Sequence, residues 1–496
     1  MKPLGTITMC YPYVDEKTKN TLELVMNEAK DFGDFAEKLC DRVIFEPSSP
    51  LTEYLLFSFA YWLEHHGLID KLDAAGKVPD LAKPILLILK AERGLNLTWE
   101  EVRASLMDAL NAAPNDWIAT HVYLQWRMFT DQYFSEADAD FRPLETIAAA
   151  VKENSELHYF ESYLHWITAE KFEKENNNKD AIAVLKQALA IARKFDDQVY
   201  VACLLNVMGR ITKHTDLKQG ADLLISARKL SEELGYIYEL AAAQAQLGRI
   251  MEVRGEFDAA IEYQHEYMKY QKSLGSSRPG ANAVLGEYYN QMGNGEMALE
   301  LTEKALPPED SQFPWFSYSY AQHTWALINL GRHTDAQKAL AISQRIALKS
   351  GNTGLIVWTN LVEGLLDKAE KRFENAVINF QKVLNYIEDN PVPLHKNICL
   401  LNLTEIEIDM LADASLQEAN DSSGRWMTKL EEYLQKNDFP GITALSKILK
   451  AKFRYRQGKY DEVREILKEV QEIGRKPSMK YLNNMIVTKF PDVIVT

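Results

Sequence analysis

The sequence predicts an all-α solenoid built from stacked αα-hairpins. Three observations predict it: a turn-plus-small-residue motif recurring at near-constant spacing, apolar residues at helical period, and a near-absence of strand-like alternation. Segments 177–182, 216–221, 255–261, 293–299, 331–336 and 371–377 carry the motif. Their small residues are Ala181, Gly220, Ala260, Ala298, Ala336 and Ala376, at intervals of 39, 40, 38, 38 and 40 residues. Chance does not hold a period that tightly over five intervals.

Each mark has a partner twelve residues upstream: Ala169, Met208 (with Gly209 beside it), Gly248, Gly286, Thr324 and Gly364. Small residues at that offset sit on two helices joined by a short turn, where they let the backbones approach. A helical Gly costs about 1 kcal/mol against Ala, so its recurrence points to a steric requirement at an αα-hairpin crossing. Apolar positions follow the helical period. Ala181, Leu185, Ala188 and Ile191 share one face, as do Ala376, Phe380, Val383 and Leu384. Segment 6–14 is the one strand candidate.

These residues carry a family resemblance: Gly286 and Tyr289 in a first helix, Gly293 at the turn, Ala298 and Ala305 in a second, and Gly-Glu-Phe-Asp-Ala-Ala-Ile-Glu-Tyr at 255–263. The sequence resembles the tetratricopeptide-repeat (TPR) superfamily, in a long-helix variant of about 40 residues against the standard 34. The resemblance implies a right-handed superhelical αα-hairpin solenoid with atypical helical ends. It also implies a concave surface, lined by the first helix (A) of each repeat, that binds proteins or peptides. The expected organisation has three parts. Residues 1–112 are a helical cap or divergent repeats. Residues 113–475 are the solenoid, with clear repeats over 161–390, a degenerate unit over 394–438 and a clear last repeat over 443–475. Residues 476–496 are a capping helix and tail.

Before the clear repeats, helices are expected at 17–43 and 51–65, separated by Glu-Pro-Ser-Ser-Pro at 46–50, then at 84–91. Thr98 and Glu101 form a capping box that opens another helix. An aromatic-rich helix is expected over 116–134.

The chain has 496 residues, 46 % of them hydrophobic, and a formal charge of −15. That apolar share builds a core. The acidic balance argues against a general phosphate-backbone binder. Cys10, Cys40, Cys203 and Cys399 form no CxxC pair, so neither a disulfide scaffold nor a zinc ribbon is indicated. The N-terminus lacks the apolar stretch of a secretory signal, and the longest greasy run, 54–63, is too short to span a bilayer. A cytoplasmic home with reduced thiols is expected, and sequons at 96–98, 402–404 and 420–422 carry little weight.

No phosphate loop, dinucleotide fingerprint, HExxH or nucleophile elbow occurs. No catalytic residue, cofactor or metal is therefore expected. His158, Glu161 and His165 have metal-compatible helical spacing, but the packing aromatics around them favour a structural role. His65 and His66 suit a helix end, beside the dipole's negative pole. The acidic run 136–140 reads as a solvated loop.

Partner-binding candidates follow from the resemblance. Carried over by position, the A helices offer Tyr163, Trp166, Glu170 and Glu173, then Asn206 and Lys213, then Gln246, Arg249 and Glu252. Glu287, Asn290, Gln291, Trp325, Asn329, Trp358, Leu361 and Lys368 continue the row. Amides grip a peptide backbone and aromatics supply contact area; the plainer reading for about half is packing within the repeats. Segment 443–460 holds Lys447, Lys450, Lys452, Arg454, Arg456 and Lys459 and no acid. It could receive an acidic peptide, a carboxylate or a phosphate, or simply face acids on neighbouring helices. The expected function is a non-catalytic protein- or peptide-binding scaffold, with no membrane partner and with nucleic acid disfavoured. Two alternatives stand: a sensor whose solenoid changes curvature on binding a small molecule or signalling peptide, and an unrecognised enzyme in the N-terminal region.

Overall fold

A computed structural model describes residues 5–62, 65–92, 99–130, 142–174, 177–275, 280–307, 314–389, 392–413, 424–491 and 493. Among them there are helices and turns but no strand. The chain divides into two compact units. One comprises Met1–Gln246 and Tyr267–Ser277, the other Leu247–Glu266 and Arg278–Thr496.

The first unit opens with α1 (Gly5–Thr8), α2 (Glu16–Glu28), α3 (Phe32–Phe45), α4 (Pro50–Trp62) and α5 (His66–Ala74). Next come α6 (Lys83–Glu92), α7 (Trp99–Ala112), α8 (Asp116–Thr130) and α9 (Arg142–Glu153). The clear repeats begin with the pairs α10 (Glu161–Lys174) with α11 (Asn178–Lys194), and α12 (Gln198–Thr212) with α13 (Leu217–Leu234). The next pair, α14 (Ile237–Arg254) and α15 (Phe257–Ser273), contains the division between units.

Local expectations change at four places. The single helix expected over 17–43 is two, because Ala29 is extended and the Asp31 side chain caps α3 by accepting from the Asp34 N–H at 2.9 Å. Segment 6–14 is not a strand but α1 followed by a 3-10 turn, Tyr11–Tyr13. His65 sits at a helix start, where Nδ1 accepts from the Leu68 N–H at 3.3 Å. An accepting imidazole is neutral at that nitrogen, and burial holds its pKa down. His158 falls in a 3-10 turn, Ser155–Phe160, so the helical spacing assumed for the His158, Glu161 and His165 trio breaks there. Thr98 of the capping box, the run 136–140, and the sequons at 96–98 and 420–422 lie outside the described residues.

Within the pairs, the small marks act sterically. A Cβ on Gly209 would lie 2.7 Å from Leu224 and 3.0 Å from the Gly220 carbonyl; one on Gly286 would lie 2.5 Å from Thr302. A larger residue at either position needs Leu224 or Thr302 to shift, or the two helices to move apart.

The N-terminal helices dock on the turns that link successive pairs. The Gly5 N–H donates to the Asp196 carbonyl at 3.2 Å, and the Gly67 N–H to the Leu274 carbonyl at 3.3 Å. Between these, Gly33 lies against the carbonyl of Gly235. Orphan N–H groups of a helix's first turn thus meet carbonyls just past another helix's end. Gly235 is left-handed (φ +66), and the Asp31 carboxylate fills the space a Cβ would need. Phe32 joins this seam, with its ring edge-on to Phe59 and Tyr236.

The second unit continues with α16 (Gly280–Gln291) and α17 (Gly295–Glu303), α18 (Trp315–Asn329) and α19 (His333–Ser350), and α20 (Thr353–Ala369) and α21 (Phe373–Asp389). It ends with α22 (Pro393–Asp413) and α23 (Arg425–Gln435), α24 (Pro440–Arg456) and α25 (Tyr460–Gly474), and α26 (Tyr481–Lys489). Helix α17 has 9 residues where α19 has 18 and α21 has 17. Pro307 and Pro308 bar its continuation.

The last elements of this unit touch its first. Asn397 donates to the Val253 carbonyl at 2.8 Å, Arg254 pairs with Asp438 at 2.9 Å, and the Tyr481 hydroxyl donates to the Gly255 carbonyl at 2.9 Å. An open repeat array makes contacts between neighbouring repeats only; this unit adds closing contacts across several.

Candidate partner-binding face

The positions proposed from the sequence share one structural habit: most bond the next A helix. In the first unit, Arg210 forks onto Glu173, with one arm at 2.8 Å. Asn206 donates to Glu239 at 2.6 Å and Lys213 to Gln246 at 2.5 Å. Tyr163 is buried, stacked on Tyr200 at 4.5 Å, and its hydroxyl meets that of Tyr159, which donates to Asp197 at 2.6 Å. Trp166 donates its indole N–H to Glu170 at 3.0 Å within α10. Trp166, Glu170, Lys213 and Gln246 remain half-buried.

The second unit repeats the scheme with a deeper centre. Arg249 reaches Glu252 at 2.7 Å and Glu287 at 2.6 Å, and donates to the Tyr318 hydroxyl at 2.9 Å. Gln291 donates to Glu252 at 2.6 Å. Asn290 donates to the Gln322 carbonyl at 2.9 Å, and Asn329 to the Asn290 carbonyl at 3.1 Å. Trp358 stands edge-on to Tyr318 and His395, and Trp325 and Leu361 are buried in the core. Lys368 bonds Asn402 at 2.7 Å and Glu405 at 2.5 Å. The bonds between A helices join residues 32 to 39 positions apart, the length of one repeat. Polar side chains that sequence position offered to a ligand therefore form a ladder within each unit.

Two carboxylates, Glu252 and Glu287, are 0 % exposed and share one guanidinium. Burial, then the neighbouring Glu287 charge, pushes the Glu252 carboxyl up to about 8. Burial also pulls on Arg249, but Glu287, Tyr318 and Glu252 outweigh it and hold the guanidinium protonated. His395 is driven down to about 4 by burial and then by the Arg249 charge. A pH dependence follows. The folded chain keeps a Glu252 proton that the unfolded chain releases above its ordinary 4.5. The stability this proton contributes is complete below pH 4.5 and is lost as pH rises towards about 8. Urea midpoints measured across that range should fall for the wild type, by up to ~1.4 kcal/mol per pH unit. Glu252→Gln should flatten the slope; an unchanged slope would exclude Glu252 as its source.

The basic segment is matched internally. Lys447 faces Glu469, Lys450 faces Glu431 at 3.3 Å, and Lys452 bridges Glu405 at 2.8 Å and Asp409 at 3.0 Å. Arg454 pairs with Glu462 at 3.0 Å, Arg456 with Asp409 at 2.6 Å, and Lys459 with Glu462 at 3.6 Å. Burial works against the Glu405 charge, but Lys368, Lys489 and Lys452 hold the carboxyl well below its usual range. Glu431 and Glu462 lie close in sequence and are foreseeable partners; Glu405, Asp409 and Glu469 come from farther along the chain, and the sequence alone does not single them out.

Two pockets lined by described residues lie away from the ladder. One of about 20 Å³ in the first unit touches Cys10, His121, Tyr159 and Asp197. It has room for about one water. Burial raises the Cys10 thiol to about 12 and lowers His121 to about 3, so neither is poised for catalysis. The other, about 220 Å³, lies in the second unit beside the short α17. Among the described residues, no cluster of three or more His, Cys, Asp or Glu suits a metal ion, and no helix is long and apolar enough to cross a membrane.

Ladder and paired helices together define an all-α helical-repeat protein. No family model and no curated protein matches the sequence. Among solved structures, the chain is similar to yeast Tom70, at 12 % identity over 95 % of this chain and 96 % of that one, with a TM-score of 0.34. It is also similar to the TPR domain of P58(IPK), at 13 % identity over 83 % and 99 %, with a TM-score of 0.20.

Proposed function

We propose that this chain is a non-catalytic scaffold that binds a protein or peptide through its A-helix face. The observation that supports it most is the half-buried row Trp166, Glu170, Lys213 and Gln246. It combines an aromatic surface, an acid, a cation and an amide on consecutive A helices already held rigid by the ladder. A rigid row loses little entropy on binding, and Trp is enriched at binding hot spots. The non-catalytic part rests on the sequence, in which no phosphate loop, HExxH or nucleophile elbow occurs. Four buried, unpaired cysteines fit a reducing, cytoplasmic compartment.

Affinity capture from native lysate tests this reading. Trp166→Ala and Lys213→Glu should each weaken recovery of the main partner, by ~30-fold for a hot-spot residue. Lys229→Glu, at a side chain 79 % exposed on helix B, should leave recovery unchanged. Equal recovery by all three variants would refute binding at the A face.

A further inference from the structure

Pairwise matching of the basic segment hides an imbalance in the second unit. Six charged side chains from four helices meet there: Lys368 of α20, Glu405 and Asp409 of α22, Lys452 and Arg456 of α24, and Lys489 of α26. A spacing of four residues puts Glu405 and Asp409 on one helix face, and Lys452 and Arg456 on another. Among the described residues, four cations thus share two acids, a local excess of two positive charges in a chain of formal charge −15. The acids nearest Lys368 in sequence, Asp367 and Glu370, pair with Arg372 instead.

Hydrogen-bond donors are in surplus as well, since an ammonium has three N–H groups. Lys368 directs one to Asn402 at 2.7 Å and one to Glu405 at 2.5 Å. Lys452 lies between Glu405 at 2.8 Å and Asp409 at 3.0 Å. Each of these two lysines keeps a third N–H. Lys489 stands 3.8 Å from Glu405, beyond hydrogen-bond reach, and keeps all three. Burial works against the Glu405 charge, yet Lys368, Lys489 and Lys452 hold its carboxyl well below the usual range. Glu405 is therefore a permanent anion that gathers the lysines without neutralising them. Water reaches the cluster: the side chains of Lys452, Arg456 and Lys489 are 25 %, 35 % and 37 % exposed.

We propose that this cluster binds a phosphorylated side chain of a partner peptide, its phosphate taking the spare N–H donors of Lys368, Lys452 and Lys489. The proposal rests on the A-helix reading, because Lys368, Glu405 and Lys452 stand on A helices. Charge selects the occupant. A phosphate monoester brings a charge of about −1.5 to −2 at neutral pH and three acceptor oxygens. A carboxylate brings a single negative charge and two oxygens, which leaves half of the excess in place. Ammonium groups bind phosphate as point charges and need no planar fork.

Calorimetric titration of the full chain at low salt, with the amides of N-acetyl-O-phospho-L-serine and N-acetyl-L-aspartate and with inorganic phosphate, tests the assignment. At about pH 7.5 the phosphoserine amide should bind at least ~10-fold more tightly than the aspartate amide, the effect of one more charge-assisted hydrogen bond. At about pH 5.5 the phosphoserine amide should lose ~4-fold as its dianion protonates, while the aspartate amide holds its affinity. Lys489→Gln removes no hydrogen bond and should melt as the wild type does, yet bring the ratio of the two amides towards one. Lys489→Glu should abolish phosphoserine binding. Lys338→Gln, at a side chain 73 % exposed on α19, should leave it unchanged. Equal binding of the two amides to the wild type, or a ratio that survives both Lys489 variants, would overturn the proposal. Inorganic phosphate binding more tightly than the phosphoserine amide would overturn the peptide as its source. Binding seen only after deletion of residues 494–496 would assign the cluster to the chain's own terminal segment and overturn it too. Trp166→Ala, in the first unit, leaves the cluster untouched, so failure of the A-helix reading and failure of this one are read separately.

Discussion

Replacing Arg249 by Met should remove about 3–5 kcal/mol of folding stability, one of the two largest effects expected of a single substitution here. The guanidinium pairs with two carboxylates that are 0 % exposed, and it also holds the Tyr318 hydroxyl. Met preserves length and apolar volume but leaves the buried Glu252 and Glu287 without the donor they share. Arg249→Lys should fall between, because an ammonium cannot present a planar fork to several acceptors. Adding Glu252→Gln and Glu287→Gln to Arg249→Met should recover most of the loss, since the cost lies in the buried acidic groups left without their donor. Urea unfolding followed by circular dichroism checks the series. A wild-type midpoint for Arg249→Met would mean that the cluster is solvated and contributes little.

The second large effect is expected at Gly441, the second residue of α24. A Cβ at that position would lie 2.0 Å from the Gly255 carbonyl oxygen, backbone against backbone. No rotamer relieves that overlap. The contact must open, and with it go the neighbouring Arg254–Asp438 pair and the Tyr481 bond to Gly255. Gly441→Ala should cost about 3 kcal/mol, the upper range for overpacking. Gly280 opens α16, and a Cβ there would meet nothing within 4 Å, so it is the control. Gly280→Ala should stabilise by about 0.4–1 kcal/mol through the unfolded chain. Equal denaturant midpoints for the two variants would mean that the closing contacts of the second unit are not formed in solution.

The repeat is legible because close helix crossing leaves a mark in composition. Gly209 against Gly220 and Gly286 against Ala298 are contacts a single sequence can announce; that Thr302 presses closest on Gly286 is not. A helix end is legible where a rigid residue forces it. Pro307 marks where α17 cannot continue. The break between α2 and α3 is harder to see, because its signal is one Asp31 side chain in a helical pattern. Least legible are the polar residues of the A helices. Asn206, Arg249 and Glu287 have the chemistry of ligand contacts, and nothing local tells whether the group they meet is a partner or the next repeat. That depends on how closely consecutive A helices stack, which Glu239 and Tyr318, residues 31 to 33 positions away, decide.

The three N-terminal docking points carry one more consequence. Gly5, Gly33 and Gly67 meet the chain at Asp196, Gly235 and Leu274, each step being 39 residues along the repeats. The N-terminal helices therefore work as a ruler with three graduations, laid along the edge of the array. A residue inserted between two of those turns would be absorbed by an open array as a longer loop; here it would carry a graduation out of reach of its glycine. Repeat length in the first unit is thus held by something outside the repeats, and drift in one repeat is penalised by a segment more than a hundred residues earlier in the chain.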